Sequence, residues 1–280
     1  PAASLPCRRL TVIHDAFFWQ MPQNYPRWWR KYFLSLIKKG LREKTEIITT
    51  TEYSRISIEK HLGKNWPISV IYQTPKSLKA ASDQSIIKKL LLTKSSYFLH
   101  IGTFDKRKQL PLLVKAFADF VRLTVSDKKM VLVGGPGQSA QMNDLPLVER
   151  LIEELGMKEK ILLPGYLTDG EIKALYENAF AYVFPSENEG FGIPIPEAMG
   201  FGLPVIHSDQ EALLEVAGGA GLSFQTGNQE DLLEKMIHLD QEKELCESMK
   251  AKGKIRSQEF SAQKFIEAFQ RKILEPSLVE

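Results

Sequence analysis

The sequence is poor in the features that mark several large classes of protein. Its only two cysteines, Cys7 and Cys246, cannot form a disulfide framework, so a reducing compartment is expected. No apolar run reaches the roughly 18 to 20 residues that cross a bilayer. There is no Asp-x-Asp pair, no His/Cys cluster with metal-ligand spacing and no Gly-x-Gly-x-x-Gly fingerprint. A globular cytoplasmic protein without a metal or a nicotinamide cofactor is therefore expected, and 280 residues with 43% hydrophobic content can bury a core.

Charge is distributed unevenly along the chain. Residues 1–76 carry thirteen Lys and Arg against five acids, a net charge of +8, and the remainder carries −5. A basic surface there favours an anionic partner such as a membrane face, a phosphorylated lipid or nucleic acid. The segment 26–44 combines this charge with aromatic residues, which predicts peripheral docking on anionic membranes. A solvated basic helix whose apolar side chains pack onto its own sheet explains the same pattern.

Short apolar runs rich in β-branched residues alternate with longer stretches of helical period, which is typical of an α/β protein with a mostly parallel sheet. Strands are predicted at 10–14, 46–50, 68–72, 97–101, 130–134, 161–164, 181–185 and 204–208. Helices are predicted at about 27–43, 52–62, 109–126, 145–156, 169–178, 194–200, 228–239 and 242–258.

A polar stretch at 73–85 predicts a domain boundary. Residues 1–76 would form a first domain, and residues 77–280, including the terminal helices, a second. The three predicted strands of the first domain are too few for a complete doubly wound sheet, whereas the second domain has enough.

The most informative stretch is residues 181–208, where a strand leads into a glycine-rich loop and then into a helix opening near Pro194. Glu189 lies in the loop and Glu197 in the first turns of the helix, with seven residues between them. Backbone amides just before a helix attract phosphate, because free N–H groups and the helix dipole point the same way. The amides in that position belong to Gly190, Phe191, Gly192 and Ile193. Two ordinary surface glutamates flanking a turn would be the simpler interpretation.

With the preceding FPS, the EGFG loop and the following EAM and GLPVI, this glutamate pair resembles the motif of family 4 glycosyltransferases, which are retaining enzymes of the GT-B fold. The resemblance covers nearly the whole chain, is most specific from 97 to 208, and points to bacterial polysaccharide mannosyltransferase-like members. It implies two Rossmann-like domains with parallel sheets. It also implies that Glu189 contacts the donor sugar and Glu197 the nucleotide ribose.

A second element, HIGTFDKRKQLPLLVKAF at 100–117, puts Arg107 and Lys108 after a strand and just before a helix. Open α/β sheets bind ligands at such loop ends, and adjacent cations can neutralise a departing diphosphate without a metal. The stretch is similar to the family's segment of a glycine, here Gly102, followed by a basic pair, although Gln109 stands where Asn is common. Solvent-facing charges at a helix start are the alternative.

Two further segments complete the resemblance. The first, residues 163–179 (LPGYLTDGEIKALYENA), is similar to the family's clamp on the nucleotide base, and Tyr166 and Leu167 are candidates to frame that base. Because the contacts in this clamp come from the backbone, UDP and GDP donors remain equally open. LTVIHDAFF places His14 at a strand end, where a lone histidine is more often structural, but the resemblance implies contact with the donor sugar. Ser54 and Arg55 are similarly placed. The glycines of LVGGPG at 132–137 are expected to form the turn after a strand.

The resemblance implies transfer of a hexose, with mannose as the first candidate, from a GDP-sugar or UDP-sugar to an acceptor hydroxyl with retention and without a cofactor. A glycan or lipid-linked acceptor is expected, nucleic acid is not, and the location would be cytoplasmic, including the inner face of the membrane. The family's first domain begins with a strand and a glycine-rich loop that do not precede LTVIH here, so an incomplete first domain is expected. A non-catalytic nucleotide-sugar-binding subunit and a GT-B phosphorylase or sugar-phosphate synthase are the alternatives.

Overall fold

The computed structural model describes residues 9–24, 26–41, 45–137 and 142–274. Cys7 and residues 42–44 of the basic segment lie outside the described residues. In chain order the elements are β1 (Arg9–Val12), α1 (Phe17–Gln20), α2 (Arg27–Gly40), β2 (Thr45–Thr49), α3 (Glu52–Leu62), β3 (Ile68–Val70), α4 (Ser85–Lys89), β4 (Tyr97–Ile101), α5 (Leu110–Thr124), β5 (Lys129–Val133), α6 (Leu145–Glu154), β6 (Ile161–Gly165), α7 (Asp169–Asn178), β7 (Ala181–Phe184), α8 (Pro194–Gly200), β8 (Val205–Ser208), α9 (Glu211–Ala217), β9 (Leu222–Phe224), α10 (Gln229–Gln241), α11 (Lys243–Ser257) and α12 (Ala262–Leu274).

These elements divide into two compact units. The first contains the described residues of Pro1–Thr74, with Glu189–Phe191 and Phe260–Glu280, and the second contains those of Pro75–Asn188 and Gly192–Glu259. Within the described ranges, no helix combines the length and apolarity that crossing a membrane requires.

The first unit is built on a parallel sheet in the order β1-β2-β3. All five residues of the central strand β2 are buried, and its Ile47 belongs to a small core with Ile13, Leu41 and Ile58. Helix α3 follows β2 directly, because the hydroxyl of the N-cap residue Thr51 accepts the backbone N–H of Ser54 at 3.1 Å. The carboxyl end of β2 is thereby fixed to the start of a helix.

The second unit is built on a larger parallel sheet in the order β6-β5-β4-β7-β8-β9. The first strand of this sheet along the chain is β4. The chain then continues outward through β5 to β6 and returns to β7 on the other side of β4. The order therefore reverses between β4 and β7, and open α/β sheets bind ligands outside the carboxyl ends of the strands at such a point. The main core lies between this sheet and its helices, with Phe98, Leu132 and Val183 packed in one cluster with Phe117 of α5.

The α/β class and the parallel strands predicted from the sequence are confirmed, and every predicted strand and helix has a counterpart within a few residues. The elements that sequence reasoning missed are β9, α1, α4, α9 and α12. Most of these span three to seven residues, too few for a periodic pattern to be recognised. Helix α12 is longer, and its spacing of Phe265, Phe269 and Lys272 could have identified it.

The end of the chain groups with the first unit, whereas the sequence prediction assigned the terminal helices to the second domain. Two contacts account for this grouping. The Lys272 ammonium of α12 pairs with the carboxylate of Glu46 on β2 at 2.8 Å, and both side chains are buried. Phe260 also packs against Tyr72, with 5.5 Å between ring centres. Apolar packing and a buried ion pair thus attach α12 to the small sheet.

Candidate functional site

Glycine residues occupy the carboxyl ends of three neighbouring strands in the second unit. Gly102 follows β4 and donates its N–H to Val133, while Gly134 follows β5 and donates its N–H to Gly165 at the end of β6. Gly134 adopts a φ of +139°, and a Cβ atom there would collide with the carbonyl oxygen of Gly102. The LVGGPG glycines were expected to form the turn after a strand, but the chain continues in extended form, and Pro136 makes a parallel bridge to Phe104. The glycines leave this edge of the sheet lined by backbone.

The loop after β4 holds Lys108 in a buried position. Its backbone N–H donates to the carbonyl of Asp105 at 2.8 Å, and Gln109 then takes a left-handed φ of 53° before α5 begins. The Lys108 side chain is only 6% exposed, and its Nζ lies 4.5 Å from the centre of the Phe184 ring. A solvent-facing charge at a helix start is therefore the wrong description of Lys108.

Arg107 is bonded to the loop after β7. Its carbonyl accepts the N–H of Glu187 at 2.8 Å, and its guanidinium donates to the carbonyl of Asn188 at 3.3 Å. The amide of Gln109 adds a bond of 2.9 Å to the Glu187 carboxylate. The two loops that flank the reversal of strand order are thus hydrogen-bonded to each other, which fixes the position of the adjacent cations.

Helix α8 begins directly after the glycine-rich loop. Pro194 occupies its first turn, where a missing N–H costs no helical hydrogen bond. Gly192 adopts a φ of +86°, and a Cβ atom there would lie 2.6 Å from the Leu213 side chain. Of the four amides predicted to meet phosphate, those of Gly192 and Ile193 lie in the second unit.

Glu197 lies in the first turn of α8 and is held by two donors. The Tyr176 hydroxyl donates to one carboxylate oxygen at 3.2 Å, and the backbone N–H of Lys76 donates to the other at 3.3 Å. Burial raises the pKa of Glu197 above its usual value, while these two bonds oppose the shift. A carboxylate in this setting still has lone pairs for the hydroxyl groups of a ligand.

Tyr166 and Leu167 lie between β6 and α7. The Tyr166 ring is 73% exposed and stands against Gly135, where a Cβ atom would collide with it. Leu167 is half-buried, and Thr168 then caps α7 in a reciprocal arrangement with Glu171. An exposed aromatic ring beside a glycine turn is suited to stacking on a planar base.

The remaining predicted residues, His14, Glu189, Gly190 and Phe191, belong to the first unit. His14 is exposed, and its Nδ1 lies 2.8 Å from the amide nitrogen of Gln73. Because an amide nitrogen only donates, Nδ1 accepts and the ring proton resides on Nε2. Glu189 is buried, with 7% exposure.

The carbonyl of Gly190 meets three hydroxyl groups of the first unit. Thr51 lies at 2.8 Å, Thr50 at 3.0 Å and Ser54 at 3.2 Å. The Thr50 hydroxyl is also 2.9 Å from the carbonyl of His14. A Cβ atom on Gly190 would lie 2.7 Å from that same carbonyl, so glycine is required by close backbone approach.

Within the part of the chain that the structure describes, no group of three or more His, Cys, Asp and Glu is placed to hold a metal ion.

Comparison with known proteins shows the family. Residues 82–256 match the family described as glycosyl transferases group 1. The chain belongs to this family. Apart from Glu189–Phe191, which group with the first unit, the matched residues belong to the second unit, with its strand-end glycines and paired loops. The family resemblance inferred from the EGFG and basic-pair motifs is thereby confirmed.

Two relatives of this group 1 chain are bacterial mannosyltransferases. O-antigen chain mannosyltransferase B of Escherichia coli is 28% identical over 91% of this chain and 67% of its own length. O-antigen chain mannosyltransferase RfbU of Salmonella typhimurium is 27% identical over 75% of this chain and 55% of its own length. The chain thus spans between about half and two thirds of these relatives.

A solved structure shares the fold. Anabaena Alr3699/HepE in complex with UDP-glucose has a TM-score of 0.80 and 18% sequence identity, and the match covers 95% of this chain and 72% of that one. The predicted GT-B class of this group 1 chain is confirmed at the level of the fold.

Three of the predicted site residues lie together in the group 1 unit, whereas one residue that the sequence also singled out forms surface ion pairs. Gly102, Arg107 and Lys108 lie at the reversal of strand order, whereas Arg55 pairs with Glu52 and Glu59 on the surface of α3. Sequence reasoning missed Tyr176 as the partner of Glu197, and missed Thr50 and Thr51. A run of three threonines before a helix was the available signal for the last two, but N-capping alone explains such a run.

Proposed function

We propose that the chain transfers a hexose, with mannose as the first candidate, from a nucleotide diphosphate sugar to an acceptor hydroxyl in polysaccharide, lipopolysaccharide or glycolipid biosynthesis. The reaction would retain the anomeric configuration. The observation that carries the proposal is the buried Lys108 beside the hydrogen-bonded Arg107 at the reversal of strand order in a group 1 glycosyltransferase unit. The mannosyltransferase relatives support the choice of sugar.

The donor nucleotide would be recognised mainly by the second unit. Arg107 and Lys108 would neutralise the diphosphate as it departs, a task that otherwise calls for a metal ion. The Glu197 carboxylate would accept hydrogen bonds from the ribose hydroxyls. Tyr166 and Leu167 would frame the base, and this leaves both UDP and GDP as donor nucleotides.

Contacts to the donor sugar are proposed for Glu189 and His14. Glu189 offers carboxylate acceptors to sugar hydroxyls, and the Nε2–H of His14 offers a donor. With attack on the same face as the departing diphosphate, no protein nucleophile is required, so neither residue is assigned a covalent role.

Donor identity and turnover test this proposal directly. Thermal shift with UDP, GDP, UDP-glucose and GDP-mannose identifies the preferred nucleotide, and a radiolabelled form of that donor is then incubated with mixed glycan acceptors. Transfer to acceptor with a retained anomeric centre supports the proposal. Binding without turnover would favour a nucleotide-sugar-binding subunit, and turnover that requires inorganic phosphate would favour a phosphorylase.

We also propose that α2 docks on an anionic membrane surface. Its inward side is occupied. Phe33 stacks with both Phe18 and Trp29, the Trp29 ring lies tilted against Phe18, and the Arg30 guanidinium donates to the Phe18 carbonyl. Packing of apolar side chains within the first unit therefore accounts for the inward side of α2, but it does not account for the outward side.

The outward side of α2 carries a second apolar stripe. Trp28, Tyr32 and Leu36 recur every four residues and are all exposed, Trp28 by 70%. The helix contains five Lys and Arg and no acid, and the side chains of Lys31 and Lys39 are exposed. Exposed aromatic rings among cations match the interface of an anionic bilayer better than a neutral partner.

Vesicle sedimentation tests this docking. The protein should bind phosphatidylcholine vesicles that contain about 30% phosphatidylglycerol, and binding should fade as NaCl rises from about 0.05 to 0.5 M. Trp28→Ala with Tyr32→Ala should reduce partitioning at least about tenfold, while Ile56→Ala with Lys60→Ala, at exposed positions of α3, should not. Equal binding to neutral vesicles would refute the proposal. A dimer in sedimentation velocity that the Trp28/Tyr32 variant dissociates would instead identify a second copy as the partner.

A further inference from the structure

The hydroxyls of Thr50, Thr51 and Ser54, called here the hydroxyl cluster, gather around two backbone carbonyls at the carboxyl end of β2. Thr51 and Ser54 are 1% exposed or less, and Thr50 is 3% exposed. Their carbonyl partner Gly190 is about 140 positions away in the sequence. Bonds of this kind do not arise from local chain geometry, so they reflect the tertiary arrangement of the first unit.

The three hydroxyl protons can satisfy both carbonyls, although the hydroxyl oxygens of Thr51 and Ser54 also lie 3.0 Å from each other. A carbonyl oxygen has two lone pairs, and each hydroxyl has one proton. Thr51 at 2.8 Å and Ser54 at 3.2 Å can fill the two positions on the Gly190 oxygen. Thr50 then donates its one proton to the carbonyl of His14 at 2.9 Å, while the Gly190 oxygen lies 3.0 Å from the Thr50 hydroxyl oxygen.

This arrangement places one hydroxyl between the backbones of two residues that the proposed function assigns to the donor sugar. The Thr50 hydroxyl oxygen lies 2.9 Å from the carbonyl oxygen of His14 and 3.0 Å from that of Gly190, the residue after Glu189. Gly190 in turn approaches His14 so closely that a Cβ atom would not fit. The relative position of the His14 and Glu189 backbones is thus set by buried hydrogen bonds and by close contact.

We propose that the hydroxyl cluster is a positioning device for His14 and Glu189, with Thr50 as its central member, and that it sets the rate of sugar transfer without affecting nucleotide affinity. The role in transfer rests on the proposed function. Misplacement of reacting groups by about 1 Å can lower rates about a hundredfold, so the loss of one buried hydroxyl can have a large kinetic effect.

The chain offers a matched control one residue away. Thr49 is fully buried in β2, and its hydroxyl has no hydrogen-bond partner among the residues that the structure describes. Thr49→Val and Thr50→Val therefore make the same isosteric change at neighbouring buried positions, but only the second removes a bond to the two carbonyls. Thr50→Ser restores the hydroxyl and serves as the rescue variant.

Two measurements on the full chain test the hydroxyl cluster and the proposed function separately. Hydrogen exchange of the peptide that covers 186–193 should increase in Thr50→Val, and remain as in wild type in Thr49→Val and Thr50→Ser. In the transfer assay, kcat of Thr50→Val should fall about tenfold to a hundredfold, with the Kd for nucleoside diphosphate unchanged within about twofold and most of the rate recovered in Thr50→Ser.

Each result has a distinct meaning. Unchanged exchange at 186–193 in Thr50→Val would overturn the positioning device whatever the activity. Increased exchange with an unchanged kcat, or an equal loss of kcat in Thr49→Val, would overturn its role in transfer. If the wild type transfers no sugar from any donor while exchange responds as expected, the proposed function fails and the hydrogen-bonded cluster stands.

Discussion

Glu197→Gln should have opposite effects on nucleotide binding and on stability. Burial raises the pKa of Glu197, so the ionised carboxylate costs the folded protein stability at neutral pH. The favourable contribution of the Glu197 carboxyl to folding is present below the pKa that this group has in the unfolded chain. It is lost as pH rises through the higher pKa that the group has in the folded protein. Removing the charge should therefore leave the Tm of the free protein at pH 7 unchanged or higher.

The effect on binding follows from the hydrogen bonds expected with ribose. A hydrogen bond to a charged group contributes about 1.5 to 3 kcal/mol, and the neutral amide keeps one acceptor while losing the other. The loss of one such bond corresponds to a Kd about 10- to 150-fold weaker. Isothermal titration calorimetry with UDP and GDP measures this change, and Glu230→Gln, at an exposed glutamate of α10, controls for the loss of charge.

The pH dependence gives a second test of the same reasoning. Because ribose hydroxyls donate to the ionised carboxylate, wild-type affinity should increase as pH rises through the raised pKa of Glu197, and the variant should lack this dependence. Tyr176→Phe removes a donor that lowers that pKa, so it should shift the dependence to higher pH. A nucleotide Kd within about twofold of wild type in Glu197→Gln would refute the assignment.

Further predictions concern the other site residues and one buried ion pair. Lys108→Met should weaken donor binding by about 2 to 4 kcal/mol in calorimetry, and wild-type affinity would exclude contact with the diphosphate. Glu189→Gln should weaken binding of the sugar-bearing donor but not of plain nucleotide. Equal losses of affinity for both ligands would refute the assignment of Glu189 to the sugar and of Glu197 to the ribose. Activity should survive EDTA, and a loss that Mg²⁺ or Mn²⁺ restores would refute charge neutralisation by side chains alone. Lys272→Met should lower the free energy of unfolding by about 3 to 5 kcal/mol in urea denaturation, because Glu46 would keep a buried charge, and a small effect would show that the pair is solvated.

Local sequence was sufficient for much of the fold and for part of the candidate site. The period of the apolar residues located the main strands and helices, and Arg107 and Lys108 lie between a strand and a helix as predicted. Sequence placed glycines after a strand, but the collision that requires glycine at position 134 involves the Gly102 carbonyl at the end of the neighbouring strand. These features depend on residues close together in the chain.

The features that sequence reasoning missed depend on distant pairs. Tyr176 reaches Glu197 from another helix, and Thr50 reaches Gly190 from another part of the chain. A hydroxyl in a threonine-rich stretch before a helix gives no indication of which carbonyl it will meet. The same limit applies to α2, where composition predicted an amphipathic helix but not that Trp29 would pack inward while Trp28 remained exposed.

The glycines at the strand ends determine how this site can diversify. A side chain is excluded at Gly134 by the Gly102 carbonyl, so backbone forms that surface of the second unit whatever residues surround it. Ligand discrimination must then come from the few side chains that remain available, such as Glu197, Lys108 and the exposed ring of Tyr166. Glu197 and Lys108 are proposed to bind the ribose and the diphosphate, which all nucleotide donors share. Substitution at Tyr166 should therefore change the preference between bases while leaving diphosphate affinity in place. Calorimetry with UDP, GDP and pyrophosphate on Tyr166→Ala tests this: parallel losses for all three would show that the ring supports the site as a whole and does not select the base.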